Sequence, residues 1–229
     1  MKTLLLLHGA IGAADQLQPL AQALAAHYNV HTLSFSGHGG IAPHAEGYSI
    51  RVFANDVLDY MQLNGLEQVS ILGYSMGGYV AMYLAAHCPD KVERVMTLAT
   101  KYLWTEEIAA REVKMLVPEK IEEKLPAFAA TLAQRHAPVS WKEVLHATAA
   151  MMRELGEMPV LTEEVYARIS TPCLLLLGDR DKMVSLEETV DVYKCLPNAQ
   201  MAVLPGTAHP IEQVDISLLD FFARRFFGE

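Results

Sequence analysis

Short apolar runs alternate with amphipathic stretches through the first hundred residues, and the alternation returns near the C-terminus. Thr3–Leu7 is a compact run of apolar residues and predicts a buried strand, followed by a turn over His8-Gly9-Ala10-Ile11-Gly12. Asp15 is placed to cap a helix running to about His27, and Val30–Phe35 reads as the second strand, ending in Ser36-Gly37-His38-Gly39-Gly40. Ser49 is a candidate N-cap for a helix to about Leu63, whose Val52, Phe53, Val57, Leu58 and Met61 share one face. Gln68–Leu72, bounded by Gly65 and Gly73, predicts a third strand. A run of helix formers from Tyr79 to Ala86 ends before Pro89, and Val92–Leu98 predicts a fourth strand.

From Lys101 to about Ile169 the alternation stops. This stretch reads as helices punctuated by Pro118, Pro126, Pro138 and Pro159, with Ser140-Trp141-Lys142-Glu143 as a candidate capping box. Strands resume with Pro172–Leu177. Ser185-Leu186-Glu187-Glu188 is a second capping box, opening a helix toward Leu196, before a last strand at Gln200–Leu204 and a last helix from Pro210 to Phe227. Strands alternating with helices predict a parallel sheet with crossover helices on both faces. The architecture expected is a six-stranded α/β core from residues 1–100 and 170–229, with a helical cap inserted at 101–169.

The chemistry concentrates at Gly73-Tyr74-Ser75-Met76-Gly77-Gly78, a G-x-S-x-G sequence between a predicted strand and a predicted helix. Two glycines flank the serine at a distance of two residues, which lets strand and helix approach without a Cβ clash. A serine so placed projects its hydroxyl beside a helix N-terminus, where free N–H groups favour developing negative charge. A serine nucleophile needs a base, and the base needs a group that fixes its tautomer. Gly178-Asp179-Arg180-Asp181 follows one predicted strand and Gly206-Thr207-Ala208-His209 follows the next. Loops beyond the carboxyl ends of parallel strands share one crevice, so Ser75, an aspartate and His209 can meet there.

In the order Ser, Asp, His these turns resemble the α/β-hydrolase fold superfamily, in its lidded serine-esterase form. Leu7-His8-Gly9-Ala10-Ile11-Gly12 is similar to the H-G-x-x-G oxyanion loop, and Gly37-His38-Gly39 to the R-G-H-G or P-G-H-G turn, with Ser36 in place of Arg or Pro. The resemblance implies Ser75 as nucleophile, His209 as base and Asp181 as its partner. It also implies backbone N–H groups of Ala10 and Met76 as the oxyanion hole. Family spacing favours Asp181 over Asp179, and the turn after the fourth strand, Ala99-Thr100-Lys101, offers no carboxylate. His8 and His38 sit in Gly-rich turns where the family uses histidine for packing. His136 and His146 fall in the cap, where surface or capping roles are expected. The resemblance implies no cofactor.

Composition narrows the partners. A formal net charge of −9 with no Lys/Arg cluster argues against nucleic acid. Cys88, Cys173 and Cys195 are far apart and lack zinc spacing, so no metal is expected. The apolar start, Met1 to Leu7, stops at His8-Gly9, too short for a signal-sequence core, and no other run reaches membrane-spanning length without charges. A cytoplasmic protein that acts on a small acyl substrate, away from membranes, is expected. Apolar cap residues, among them Trp104, Met151 and Met152, suit a pocket for varied apolar groups. Cap cations Lys101, Arg111, Lys114 and Arg153 offer contacts for a substrate carboxylate, with a solvated face as the leading reading.

The leading expectation is hydrolysis of a small carboxylic ester or thioester through an acyl-enzyme. The same triad also supports C–C bond hydrolysis, or a lyase step resembling that of the menaquinone-pathway synthase. That synthase family commonly has G-Y-S-M-G-G-R, whereas Tyr79 stands here. A ligand-binding receptor without chemistry is the remaining reading.

Overall fold

The computed structural model describes residues 1–228. Six strands form one wholly parallel sheet: β1 (Thr3–Leu7), β2 (Asn29–Leu33), β3 (Val69–Tyr74), β4 (Val92–Leu98), β5 (Cys173–Gly178) and β6 (Ala199–Leu204). Their order across the sheet is β2-β1-β3-β4-β5-β6, with each pair in parallel register. The chain reverses its direction of travel across the sheet between β2 and β3, so the carboxyl ends of β1 and β3 flank the crevice where ligands bind in such sheets.

A strand that is buried on both faces must be apolar at every position, which explains the unbroken leucines of β1 and β5. Leu5 and Leu7, with Ile71, Val95 and Leu175, face one apolar layer. Leu4 and Leu6, with Leu72, Met96 and Leu174, face the other. Helices α2 (Ile50–Leu63) and α3 (Met76–His87) cover the first layer. Helices α1 (Gln18–Leu24) and α10 (Ile216–Phe227) cover the second. The helix α9 (Leu186–Cys195) joins β5 to β6.

Between β4 and β5 the chain runs through α4 (Glu106–Glu112), α5 (Pro118–Lys124), α6 (Pro126–His136), α7 (Trp141–Glu157) and α8 (Glu163–Tyr166). Pro118 and Pro126 each open a helix, where the missing N–H costs nothing. Helices α5, α6 and α7 share a small core of Leu116, Ile121, Ala129, Leu145 and Ala149. Trp104, Val144, Met151 and Leu155 instead join the apolar layer over α3.

Local capping follows the sequence at two expected points. Ser49 accepts from the Val52 N–H at 3.1 Å, and Ser185 with Glu188 forms the reciprocal box. At two other points it does not. Asp15 caps nothing: Ala14–Leu17 is a 3₁₀ turn, α1 begins only at Gln18, and Asp15 pairs with Arg135 at 3.4 Å. Ser140 stands at the start of α7 but makes no side-chain cap bond. The last helix is also shorter than expected. Ile211–Gln213 is a 3₁₀ turn, and α10 starts behind Asp215, whose carboxylate accepts from the Ser217 N–H.

Two histidines of the Gly-rich turns are core residues. His8 is fully buried; one ring nitrogen donates to the Gly9 carbonyl at 2.7 Å and the other accepts from the Phe35 N–H at 3.1 Å. His38 stacks on Tyr48, ring centroids 5.0 Å apart, and its Nδ1 donates to the Ser36 carbonyl. Ser36 gives both its N–H and its hydroxyl to the Asp56 carboxylate of α2. Burial, the largest influence, pulls the His8 pKa from 6.5 down to about 4, and pulls His38 well below 6.5. Between those values the unfolded chain holds a proton that folded His8 refuses. Its stabilisation is therefore intact above pH 6.5 and lost as pH falls toward 4. The free energy of urea unfolding should drop by at least about 2 kcal/mol between pH 7.5 and pH 5, and the drop should shrink in His8→Asn. A stability that stays flat over that range would contradict neutral burial of this ring.

Candidate active site

Ser75 lies at the hinge between β3 and α3, with φ 51° and ψ −117°. That is a costly region for a residue with a side chain, and the surroundings hold it there. The Ser75 N–H donates to the Leu98 carbonyl at 2.8 Å. The Ser75 carbonyl accepts from the Gly78 N–H at 3.0 Å and from the Thr100 hydroxyl at 3.1 Å. A Cβ at Gly73 would strike the backbone of Gly77, and one at Gly77 would strike the Leu7 carbonyl. No helix-capping bond engages the Ser75 hydroxyl.

His209 and Asp181 come from the turns after β6 and β5. His209 Nδ1 donates to Asp181 Oδ2 at 2.8 Å, and the Asp181 side chain is almost wholly buried. The other carboxylate oxygen accepts from the Met183 and Val184 N–H groups at 2.8 and 2.9 Å. Burial alone pushes the Asp181 carboxyl up, but the His209 hydrogen bond, the two backbone N–H groups and the imidazole charge outweigh it and hold the pKa below 3.8. This aspartate is ionised when His209 needs it.

Asp179 does different work. Its carboxylate accepts from the Thr207 N–H at 3.2 Å and lies 3.8 Å from Arg180 Nε. The Arg180 N–H reaches the Thr207 carbonyl at 2.9 Å. The acid turn and the histidine turn are thereby zipped together, with Asp181 rather than Asp179 facing His209.

Ser75, His209, Ala10 and Met76 line one pocket, with a cavity volume of about 40 Å³. That is room for about three water molecules. Its wall is apolar, from Ile50, Met151, Met152, Leu155, Met183 and Val184 among others, with Trp104 and Tyr79 closing it. Two charged residues also line it: Lys101 and Glu112. Lys101 is a correction to the sequence reading. It is buried, not on a solvated face, with Nζ 3.5 Å from Glu188 and 3.8 Å from Glu112. Arg111 keeps to the exposed side and pairs with Glu112. Leu103, Met115, Phe128 and Met158 of the helical insert are exposed and stand outside the pocket wall.

Three supporting residues escaped the sequence reading. Tyr74, beside the serine, donates its hydroxyl to the His209 carbonyl at 3.1 Å. Glu188, beyond closing its capping box, accepts from the Tyr102 N–H at 3.1 Å, tying the acid turn's helix to the root of the insert. His136, expected at the surface or as a cap, is fully buried and bridges two loops. Each signal is long-range, and a strand, a cap and a helix end hid the three. His146 is exposed, as expected. Among the described residues no cluster of three or more His, Cys, Asp or Glu is arranged to hold a metal. Among the described residues no helix is long and apolar enough to cross a membrane.

Comparison with known proteins agrees with this fold. A pimeloyl-[acyl-carrier protein] methyl ester esterase of Vibrio vulnificus is 24% identical over 225 residues, which cover 90% of this chain and 86% of the esterase. The 2-(acetamidomethylene)succinate hydrolase of Mesorhizobium japonicum is 22% identical over 229 residues, covering 92% and 82% of the two chains. The enol-lactonase of Burkholderia xenovorans superposes with a TM-score of 0.80 at 20% identity, covering all of this chain and 92% of that one. The family description that matches residues 2–162 is the alpha/beta hydrolase fold. The chain belongs to the alpha/beta hydrolase fold family and is a hydrolase of that fold.

Proposed function

We propose that the protein is a serine hydrolase that cleaves a small carboxylic ester or thioester through an acyl-enzyme on Ser75. The observation that carries this reading is the 2.8 Å bond between His209 and buried Asp181, with His209 and Ser75 opening onto one pocket. With Nδ1 donating to Asp181, the free Nε2 of neutral His209 is an acceptor and takes the serine proton as Oγ attacks the carbonyl carbon. Asp181 stabilises the imidazolium, which then protonates the leaving group. Water, deprotonated by the same ring, cleaves the acyl-enzyme and regenerates Ser75.

The oxyanion formed in each half-reaction goes to the N–H groups of Ala10 and Met76. Met76 is the first residue of α3, so its N–H has no partner within the helix and sits at the positive end of the helix dipole. One such donor is worth on the order of 10²–10³ in rate. The helices between β4 and β5 serve as a lid, with α4 and α7 supplying Glu112 and Met151 to the pocket.

Substrate size follows from the cavity. Room for about three waters suits a short acyl group, and longer chains require α7 to move. The ester reading is favoured over a lyase step by Tyr79, which stands where that synthase family has arginine. Tyr79 is buried and its hydroxyl accepts from the Leu161 N–H at 3.3 Å. The similarity to the Vibrio methyl ester esterase supports the same reading.

Steady-state kinetics on short-chain p-nitrophenyl esters test the assignment. Ser75→Ala and His209→Ala should each lower kcat/KM by at least about 10³-fold, with Asp181→Asn less severe. Asp179→Asn keeps an acceptor for Thr207 and should cost under about 10-fold. If Asp179→Asn is the crippling change, the acid is misassigned. If neither aspartate matters, the triad reading fails. Across acyl lengths, kcat/KM should be highest at two to four carbons; a rise continuing to eight or more would contradict the pocket size.

A further inference from the structure

We infer that His136 is a positioning residue for the oxyanion hole: from the last turn of α6 it fixes the Ile11 peptide, and through it the Ala10 N–H. The inference rests on the serine-hydrolase reading above. Three segments meet at this ring. Nε2 donates to the Ile11 carbonyl at 3.0 Å, and Nδ1 accepts from the Gly39 N–H at 3.1 Å. One rigid imidazole thus spans the helical insert, the turn after β1 and the turn after β2.

Ile11 needs such a hold. Its φ is 54°, in the left-handed region that a β-branched residue enters only at a cost. Within the turn itself one backbone bond, from the Gly12 N–H to the Gly9 carbonyl at 3.1 Å, spans the residue. That bond joins two peptides: the Ile11 carbonyl and the Gly12 N–H belong to one, the Gly9 carbonyl and the Ala10 N–H to the other. Holding the Ile11–Gly12 peptide by its carbonyl therefore holds the Gly9–Ala10 peptide through the Gly12–Gly9 bond. A relaxed Ile11 would swing the Ala10 N–H away from the point where the oxyanion forms. The Ile11 side chain also packs against the insert's own core, so backbone and side chain are both held from above.

The ring is set up for this pairing of bonds. A donor at Nε2 and an acceptor at Nδ1 require the neutral tautomer with the proton on Nε2. Burial, the largest influence, lowers the His136 pKa and keeps the ring neutral at working pH. Around it lie the His38 ring at 5.8 Å, buried His8, and the Arg135–Asp15 pair at 3.4 Å. None of these makes either bond. Beside it, a Cβ at Gly40 would press on the Ala137 carbonyl at 2.6 Å, so the end of α6 sits directly on the glycine turn.

Two conservative substitutions separate the two bonds. In His136→Gln the side-chain amide reaches as far as Nε2 and keeps the donor to Ile11. In His136→Asn the shorter amide reaches the Nδ1 position and keeps the acceptor for Gly39. Each variant loses one bond, so their melting temperatures should fall alike. Catalysis should not: His136→Asn and His136→Ala should lose on the order of 10- to 100-fold in kcat with KM within about 3-fold, while His136→Gln keeps most of kcat.

Inhibition by a trifluoromethyl ketone, whose serine adduct places an oxyanion in the hole, reads the same site independently. Its Ki should weaken in His136→Asn by the factor that kcat/KM falls. Equal kcat in the Gln and Asn variants, kcat that simply tracks melting temperature, or an unchanged Ki would each overturn the inference. Ser75→Ala run in parallel keeps the two readings apart. Turnover surviving in Ser75→Ala removes the serine-hydrolase reading. Turnover abolished there but untouched in His136→Ala removes only the role of His136.

Discussion

The structure depends on one backbone reversal. At Ser75 the chain turns from the central strand β3 straight into α3, at a φ of 51° that a serine adopts only when over-determined. Everything near it is arranged to hold that conformation. Glycine at 73 and 77 admits contacts between strand, helix and the Leu7 carbonyl that no Cβ allows. Leu98 and Thr100 bind the hinge peptide from the neighbouring strand and its loop. Relieving the reversal would release the proposed nucleophile from the crevice at the carboxyl ends of the strands.

The partner groups reach the same crevice by a second set of constraints. The turns after β5 and β6 are tied to one another through Asp179, Arg180 and Thr207, so His209 and Asp181 move as a unit. Tyr74 then ties that unit to the serine strand through the His209 carbonyl. The helical insert is fastened at two ends: Glu188 grips its root at Tyr102, and His136 grips the turn at Ile11. The pocket is thus bounded by turns and helices whose relative positions are set by a handful of hydrogen bonds. The charged pair of Lys101 and Glu112 in an otherwise apolar wall is costly to bury. Its three-way contact with Glu188 links the pocket wall to the acid turn.

Much of this was legible in the sequence, for identifiable reasons. The parallel sheet follows from strands alternating with helices, and β1, β3 and β5 stand out most clearly because both of their faces are covered. The elbow glycines and the motif turns were readable because backbone geometry there admits few alternatives. The misreadings share a cause too. Asp15 and Ser140 carry the right side chains for caps, but tertiary contacts took priority: Asp15 faces Arg135, and Ser140 leaves its helix start uncapped. Lys101 looked like a surface cation because its two glutamates lie 11 and 87 residues away in sequence. His136 and Glu188 act on backbone groups of distant turns, a role that leaves no local pattern. The sequence carries the chemistry of a turn more clearly than the contacts that aim it.

The central claim is that Ser75 is a nucleophile made reactive by His209. Labelling with a fluorophosphonate, read by peptide mass spectrometry on wild type and on His209→Ala, addresses it most directly. The account predicts a rapid single adduct on Ser75 in the wild type and its loss in the variant, with both proteins folded. A folded wild type that takes no adduct, or a Ser75 adduct that forms equally fast without His209, would contradict it.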